Sequence, residues 1–261
     1  MITSTSNAQI KKIIQLNTKG KARRNSRAFV VEGIKMFQEA PEDWIETVYI
    51  SESFLKNHGE LVKDTVYEVV SDQVFKHICD TMTPQGILCV LKMPEYRMED
   101  LLGTEGRPPL LLVTESIQDP GNLGTMFRTA EGAGATGIVM NKSTVDLFNP
   151  KTIRSTMGSI YRLPFLYTED LSSIIGELQG KGIRFYAAHL KGKGSYDEQD
   201  YTYPTGFLIG NEGNGLSEEI ADLADDYIRI PMEGKLESLN AAMAAGILVY
   251  EANRQRRKNR S

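Results

Sequence analysis

Hydrophobic and polar positions follow two different patterns along the chain. From residue 110 onward, short apolar runs alternate with stretches whose apolar residues recur at helical spacing. That is the pattern of a parallel sheet whose strands are joined by helices, and it predicts an α/β fold. Strands are expected at 110–114, 137–140, 163–167, 183–190, 206–209 and 227–230, with helices at 123–131, 150–159, 170–179, 217–223 and 239–253. Ahead of it lies a smaller α/β pattern: a helix near 7–17, a basic loop, a strand at 28–31, a helix at 34–40, and strands at 44–50, 66–70 and 86–91. Residues 93–109 are polar and carry Pro94, Gly103, Gly106, Pro108 and Pro109, which predicts a linker. The expected organisation is therefore a domain over 1–95, a linker over 96–109 and a larger domain over 110–261.

Composition narrows the class. The 261 residues are 41% hydrophobic and 25% charged, as in an ordinary globular protein. No apolar run approaches the roughly 20 residues of a membrane span, and the polar, basic start lacks the apolar core of a secretory signal, so a cytoplasmic location away from membranes is expected. Cys79 and Cys89 fit neither a disulfide framework nor a zinc spacing, and His58, His77 and His189 are scattered. The chemistry is expected to need no metal.

A net charge of −4 argues against a nucleic-acid partner, but its distribution argues for one. Residues 1–27 hold Lys11, Lys12, Lys19, Lys21, Arg23, Arg24 and Arg27 with no acid, and the tail holds Arg254, Arg256, Arg257, Lys258 and Arg260, again with none. An acidic body with two basic ends can still hold a phosphate backbone locally. Lys21, Arg23, Arg24 and Arg27 are the candidate RNA contacts, against the alternative of solvated termini.

Two glycine patterns carry no function. Gly132-Ala-Gly134-Ala-Thr-Gly137 has the G-x-G-x-x-G spacing of dinucleotide sites, but a helix runs into it and a strand runs out, the reverse of the order that aims a helix N-terminus at a pyrophosphate. Lys191-Gly-Lys-Gly-Ser195 lacks the spacing of a phosphate loop and reads as a surface turn.

Three other segments carry chemistry. Asp119-Pro-Gly-Asn122 after the 110–114 strand is a helix start, with Arg128 about a turn and a half beyond Asn122. Both are expected to face the carboxyl edge of the sheet, where open α/β folds bind ligands. Gly210-Asn-Glu-Gly-Asn-Gly215 ends a strand in three glycines around Glu212, whose burial there would demand hydrogen-bond donors. Ile230-Pro-Met runs to Ser238-Leu-Asn240 and then a helix of Ala241, Ala242, Ala244, Ala245 and Gly246. Ser238 or Asn240 suits its cap, and side chains this small predict tight packing or a subunit interface.

In order and spacing, N-x-G-x-x-x-R-T-A, I-G-N-E-G-x-G-L-S and I-P-M-x-x-x-x-x-S-L-N-x-A resemble the three motifs of the SpoU, or TrmH, branch of the SPOUT RNA methyltransferases. The likeness is close over roughly 107–255. It is weaker over 1–95, where Phe29-Val-Val-Glu-Gly33 after the basic stretch is similar to the family's substrate-binding domain. The resemblance implies a deep trefoil knot, a homodimer with a shared active site, and S-adenosylmethionine held by backbone near Gly210, Ile230 and Leu239. It makes Asn122, Arg128, Glu212, Ser238 and Asn240 the catalytic set, acting on a ribose 2′-hydroxyl of RNA.

That hydroxyl is a poor nucleophile, so the enzyme must align it with the methyl group and help remove its proton. A guanidinium stays protonated far above neutral pH and is an awkward base. Arg128 is therefore expected to bind the hydroxyl and a neighbouring phosphate and to stabilise alkoxide charge. Asn122 is expected to orient Arg128 or the ribose, Glu212 to brace the loop or Asn122, and Ser238 and Asn240 to fix the third loop. The first domain favours ribosomal RNA over transfer RNA. Base methylation and a non-catalytic RNA-binding role remain the alternatives.

Overall fold

The computed structural model describes residues 1–104, 106–192 and 194–258; Lys193 of the 191–195 turn and Arg260 of the basic tail lie outside the described residues. The chain divides into two compact units, Met1–Glu95 with Asp146–Tyr161, and Tyr96–Val145 with the chain from Arg162 onward.

The first unit begins with α1 (Ala8–Thr18), whose start is capped by Asn7 accepting from the Gln9 amide. Ile10, Ile13 and Leu16 recur on one face and are buried. Next come α2 (Gly20–Ser26), β1 (Ala28–Glu32), α3 (Ile34–Gln38), β2 (Ile45–Ser51), α4 (Glu52–His58), β3 (Tyr67–Val70), α5 (Asp72–Ile78) and β4 (Ile87–Lys92). The strands form a mixed sheet in the order β1-β4-β2-β3, antiparallel except for β2 with β3. The apolar face of α1 packs with Val30, Tyr49, Val74, Phe75 and Val90. Helices α4 and α5 are absent from the sequence pattern. Each has seven residues, about two turns, too few for a helical period to register.

The expected basic loop is instead largely helix α2. Arg23 anchors it: the side chain donates to Leu16 O at 2.6 Å and to Asp146 Oδ2 at 2.6 and 2.9 Å, and the residue is 4% exposed. Its charge is committed to the fold.

The second unit contains β5 (Leu110–Thr114), α6 (Pro120–Ala133) and β6 (Gly137–Asn141). The chain then contributes α7 (Pro150–Thr156) to the first unit, where Tyr161 donates to Met36 O at 2.9 Å and the rings of Phe148 and Phe29 lie 4.8 Å apart. It returns as β7 (Phe165–Thr168), α8 (Leu171–Gly180), β8 (Arg184–Ala188), the two-residue β9 (Gly194–Ser195), β10 (Thr205–Ile209), α9 (Glu218–Ala221), β11 (Asp226–Arg229) and α10 (Ala241–Lys258). Seven strands form a sheet of order β7-β6-β5-β10-β8-β11-β9 in which every pair is parallel.

Residues 96–109 also belong to this unit. Met98–Leu102 form a 3-10 turn, and Leu101 is fully buried against Gly137, where an added Cβ would lie 2.5 Å from Leu101 Cγ. Apolar residues at 98, 101 and 102 dock the segment despite its prolines. Arg256 of the basic tail is likewise structural: it donates to the carbonyls of Pro108, Pro109, Tyr201 and Tyr203 at 2.6–2.9 Å. Among the described residues no helix is long and apolar enough to cross a membrane.

One feature of the topology positions the site. Strands β5 and β10 are neighbours in the sheet centre, with Thr114 level with Ile209, so their carboxyl ends open side by side. From β5 the chain builds β6 and β7 on one side, while β8, β11 and β9 lie beyond β10. This is a switch point, where connections diverge and leave a crevice.

Candidate active site

The loop leaving β5 is turned by Asp119, whose Oδ1 accepts from the Asn122 amide at 2.8 Å, with Pro120 as the first residue of α6. This sets Asn122 in the first turn of the helix, at the crevice. The loop leaving β10 doubles back on itself: Asn211 and Gly215 pair through both backbone bonds, at 2.9 and 3.0 Å. The return passes so close that a Cβ on Gly210 would lie 2.0 Å from backbone atoms of Gly215 and Leu216. The doubled loop presents Glu212.

Glu212 lies at the exposed rim, and the expected burial is not found. It nevertheless meets a full set of donors. Its Oε1 accepts from Asn122 Nδ2 at 2.9 Å and the Asp119 amide at 3.1 Å, and its Oε2 accepts from the Gln118 amide at 3.1 Å. Partial burial alone would raise its pKa, but bonds from Asn122, Gln118 and Asp119 outweigh it and hold the carboxyl below the usual glutamate range. The bracing is thus present above the ordinary carboxylate pKa and is lost only as pH falls through the lowered value.

The third segment joins the same chain of bonds. Asn240 Nδ2 donates to Asn122 Oδ1 at 2.9 Å, while Asn240 Oδ1 accepts from the amides of Ala242 and Met243 at 2.9 and 3.3 Å. Asn240, rather than Ser238, caps α10. Asn122, 90 residues from Glu212 and 118 from Asn240 in sequence, joins them in one relay across three loops. A second tie, missed from the sequence, runs from the Glu115 carboxylate to the amide and hydroxyl of Ser217, both at 2.8 Å. Its only signal was a carboxylate directly after one strand and a helix-capping serine after another.

Behind the relay is a cavity of about 320 Å³, lined by the loops after β8, β10 and β11. Gly210, Ile230, Leu239, Ser238 and Glu212 all border it. Its lining mixes apolar residues, Ile209, Leu216 and Ile228 among them, with the ionisable His189, Glu212, Arg229 and Glu237, a composition common to small-molecule sites. The small residues of α10 serve packing within the chain: Ala241, Ala242 and Ala245 are buried, and a Cβ on Gly246 would lie 3.1 Å from Thr129 of α6.

Arg128 does not join these groups. Six residues beyond Asn122, it sits about 240° round α6. It is exposed, with no hydrogen-bond or ion-pair partner among the described residues. Both amide atoms of Asn122 are engaged by Glu212 and Asn240, so Asn122 makes no bond to Arg128 here.

In the first unit, Lys21 and Arg24 are exposed, and Arg27 is exposed but pairs with Glu95. Arg23 is withdrawn from the set of phosphate contacts, because its guanidinium is buried on Asp146 and Leu16. A groove between α1 and α2 is bordered by Lys12, Gln15, Lys19, Lys21 and Asn25, with Lys12 paired to Glu46 at 3.1 Å.

Residues 109–250 match the SpoU rRNA Methylase family. The chain belongs to that family. Residues 7–89 match an MRM3-like substrate binding domain. Over 253 residues the chain is 34% identical to the 23S rRNA (guanosine(2553)-2′-O)-methyltransferase RlmP of Bacillus subtilis, covering 95% of this chain and 97% of that one. Among solved structures it is similar to the AdoMet-bound rRNA methyltransferase from Sinorhizobium meliloti, with a TM-score of 0.84, 32% identity and 97% of each chain covered. It is also similar to the SpoU methyltransferase AviRb from Streptomyces viridochromogenes in complex with AdoMet, with a TM-score of 0.87, 27% identity, and 96% and 98% covered.

Proposed function

We propose that this chain transfers a methyl group from S-adenosylmethionine to a ribose 2′-hydroxyl of ribosomal RNA, in the cytoplasm and as a homodimer. The observation that carries this reading is the relay of Glu212, Asn122 and Asn240 at the rim of the cavity bordered by Gly210, Ile230 and Leu239. When bound there, S-adenosylmethionine supplies a methyl group already activated on a sulfonium. The chain's own task is to hold the ribose oxygen in line and to manage its proton.

Asn122 is locked in one orientation by an acceptor on one side and a donor on the other. It defines the polar edge against which a ribose would be seated. Glu212 acts through Asn122 and the Gln118 and Asp119 amides as a positioning residue. Ser238, exposed beside the cavity, is assigned to the substrate side of the third loop. Arg128 stands free to bind the 2′-oxygen or an adjacent phosphate. Its separation from the relay within one chain, with Met243 59% and Tyr250 49% exposed on α10, supports a second subunit completing the site. Membership of the SpoU family supports the knotted topology that the sequence motifs imply.

Incubating the protein with ribosomal RNA and methyl-labelled cofactor, then mapping the product by mass, tests the reading. A methylated ribose is expected. Label on a base, label only on transfer RNA, or no turnover despite RNA binding would overturn it in favour of the respective alternative.

Three further outcomes follow from the geometry. Glu212→Gln replaces one acceptor oxygen by an amide that must face a backbone N–H, so turnover is expected to fall about tenfold with RNA affinity little changed. Neutralising Lys19, Lys21 and Arg24 together is expected to flatten the dependence of log K for RNA on log salt by about 2, at roughly 0.7 per lost phosphate contact. Arg23→Ala is expected instead to lower Tm, since it strips a buried ion pair. Binding measured across a salt series, beside thermal melts, separates the two effects.

A further inference from the structure

The loop that aims the Gln118 and Asp119 amides at Glu212 passes through a residue in an unusual conformation. Ser116 has φ of +58°, in the left-handed region that an L-residue with a Cβ seldom occupies. Such a conformation persists only where its surroundings over-determine it. Here each polar atom of Ser116 is engaged. Its amide donates to Asn141 Oδ1 at 2.8 Å, and its hydroxyl accepts from Asn141 Nδ2 at 3.0 Å. Its carbonyl accepts from Asn211 Nδ2 at 2.8 Å and Gln118 Nε2 at 3.0 Å.

Asn141 is the centre of this clamp. As the last residue of β6, it is held by the neighbouring ladder to β7, where it stands level with Thr168. Its Oδ1 also accepts from the buried Thr144 hydroxyl at 2.9 Å, which fixes which end of the amide faces Ser116. A side chain that gives and takes a hydrogen bond with one residue dictates that residue's backbone orientation as well as its place.

Given methyl transfer as proposed above, we infer that Asn141 is a positioning residue for the reaction. It holds Ser116 left-handed, so that the Gln118 and Asp119 amides converge on Glu212 and Glu212 in turn fixes Asn122. Asn141 belongs to none of the three motifs and borders no cavity described above. Its effect on Glu212 is transmitted through the backbone of 116–119. The Asn211 side chain donates to the same carbonyl, while the loop after β10 keeps its own shape through the Asn211–Gly215 backbone pair.

The test compares Asn141→Leu, Asn141→Asp and the double variant Asn141→Leu/Ser116→Gly with wild type. Asn141→Leu removes the clamp, and kcat is expected to fall about tenfold, with KM for RNA within about threefold and an unchanged dissociation constant for S-adenosylmethionine. Amide exchange at Gln118 and Asp119 should quicken in parallel. Asn141→Asp keeps the acceptor for the Ser116 and Thr144 donors and should retain most of kcat. Glycine at 116 occupies the left-handed region without a Cβ clash, so the double variant should recover kcat to within about threefold of wild type.

Unchanged kcat and unchanged exchange in Asn141→Leu would overturn the inference, and so would failure of Ser116→Gly to restore it. A general loss of folding would lower Tm and cofactor affinity together and would not be corrected by glycine at 116. Should wild type itself show no methyl transfer, the functional reading fails, and the exchange measurement alone still decides whether Asn141 holds the loop.

Discussion

Arg128→Ala is expected to lower turnover by about a thousandfold while leaving cofactor affinity and Tm unchanged. The reason is where the side chain stands. It is exposed and carries no hydrogen bond or ion pair among the described residues, so its removal takes little from the fold. The methyl donor needs no further activation, and the barrier lies in exposing charge on a ribose oxygen. Removing a charged donor aimed at a developing oxyanion typically costs 10²–10³-fold, about 3–4 kcal/mol. Methylation kinetics with saturating RNA, together with cofactor calorimetry, check both halves. Wild-type turnover in the alanine variant would remove Arg128 from the site.

Arg128→Lys sharpens the assignment. Were the residue a proton acceptor, lysine, with a pKa near 10.4, would be the better base, and activity should recover with rising pH. A planar fork that clamps oxygen and phosphate has no such substitute, and the lysine variant is then expected to stay impaired at every pH. The pH profile of kcat for the two variants distinguishes the roles.

Gly210→Ala is expected to weaken S-adenosylmethionine binding by about a hundredfold, or 2.7 kcal/mol. The return limb of the loop after β10 passes where the Cβ would sit, 2.0 Å from Gly215 C and Leu216 N and 2.3 Å from Gly215 O. These are backbone atoms of a paired loop and cannot rotate aside. The loop must open, and with it move the wall of the cavity and the carbonyls beside it. Gly176→Ala in α8 is the control, because its Cβ would meet nothing within 4 Å and helical alanine is favoured over glycine. Calorimetry of the two variants against wild type checks the expectation, and near-normal cofactor affinity in Gly210→Ala would show that the loop can yield.

Much of the larger unit was legible in the chain. Its six principal strands lie where apolar runs were bounded by turn residues, most plainly at the central β5 and β10, which are buried at every position and so read as apolar runs. Asp119 and Pro120 announced the start of α6, and the glycines around Glu212 announced a loop in which backbone meets backbone. The smaller unit was less legible. Helices α2, α4 and α5 are short, and what holds α2 is a tertiary ion pair between Arg23 and Asp146, 123 residues away. The segment 96–109 read as a linker because prolines and charges dominate it, yet Met98, Leu101 and Leu102 dock its start and Arg256 holds its end.

Local chemistry along the sequence determined the residue types of the site: a carboxylate among glycines, an asparagine in the first turn of a helix, and another at the start of an alanine-rich helix. Their partnership was decided in three dimensions. Glu212 finds Asn122, and Asn122 finds Asn240, only because β5 and β10 lie side by side and the loops of three distant segments open at one edge. Tertiary structure also decided which positive charges are available. Arg23 and Arg256 look like their neighbours in a basic run, but each is consumed by buried acceptors, since a guanidinium taken out of water must be paired. A one-dimensional count of charge cannot separate an arginine that binds a partner from one that holds the fold, because burial is a property of the packed chain.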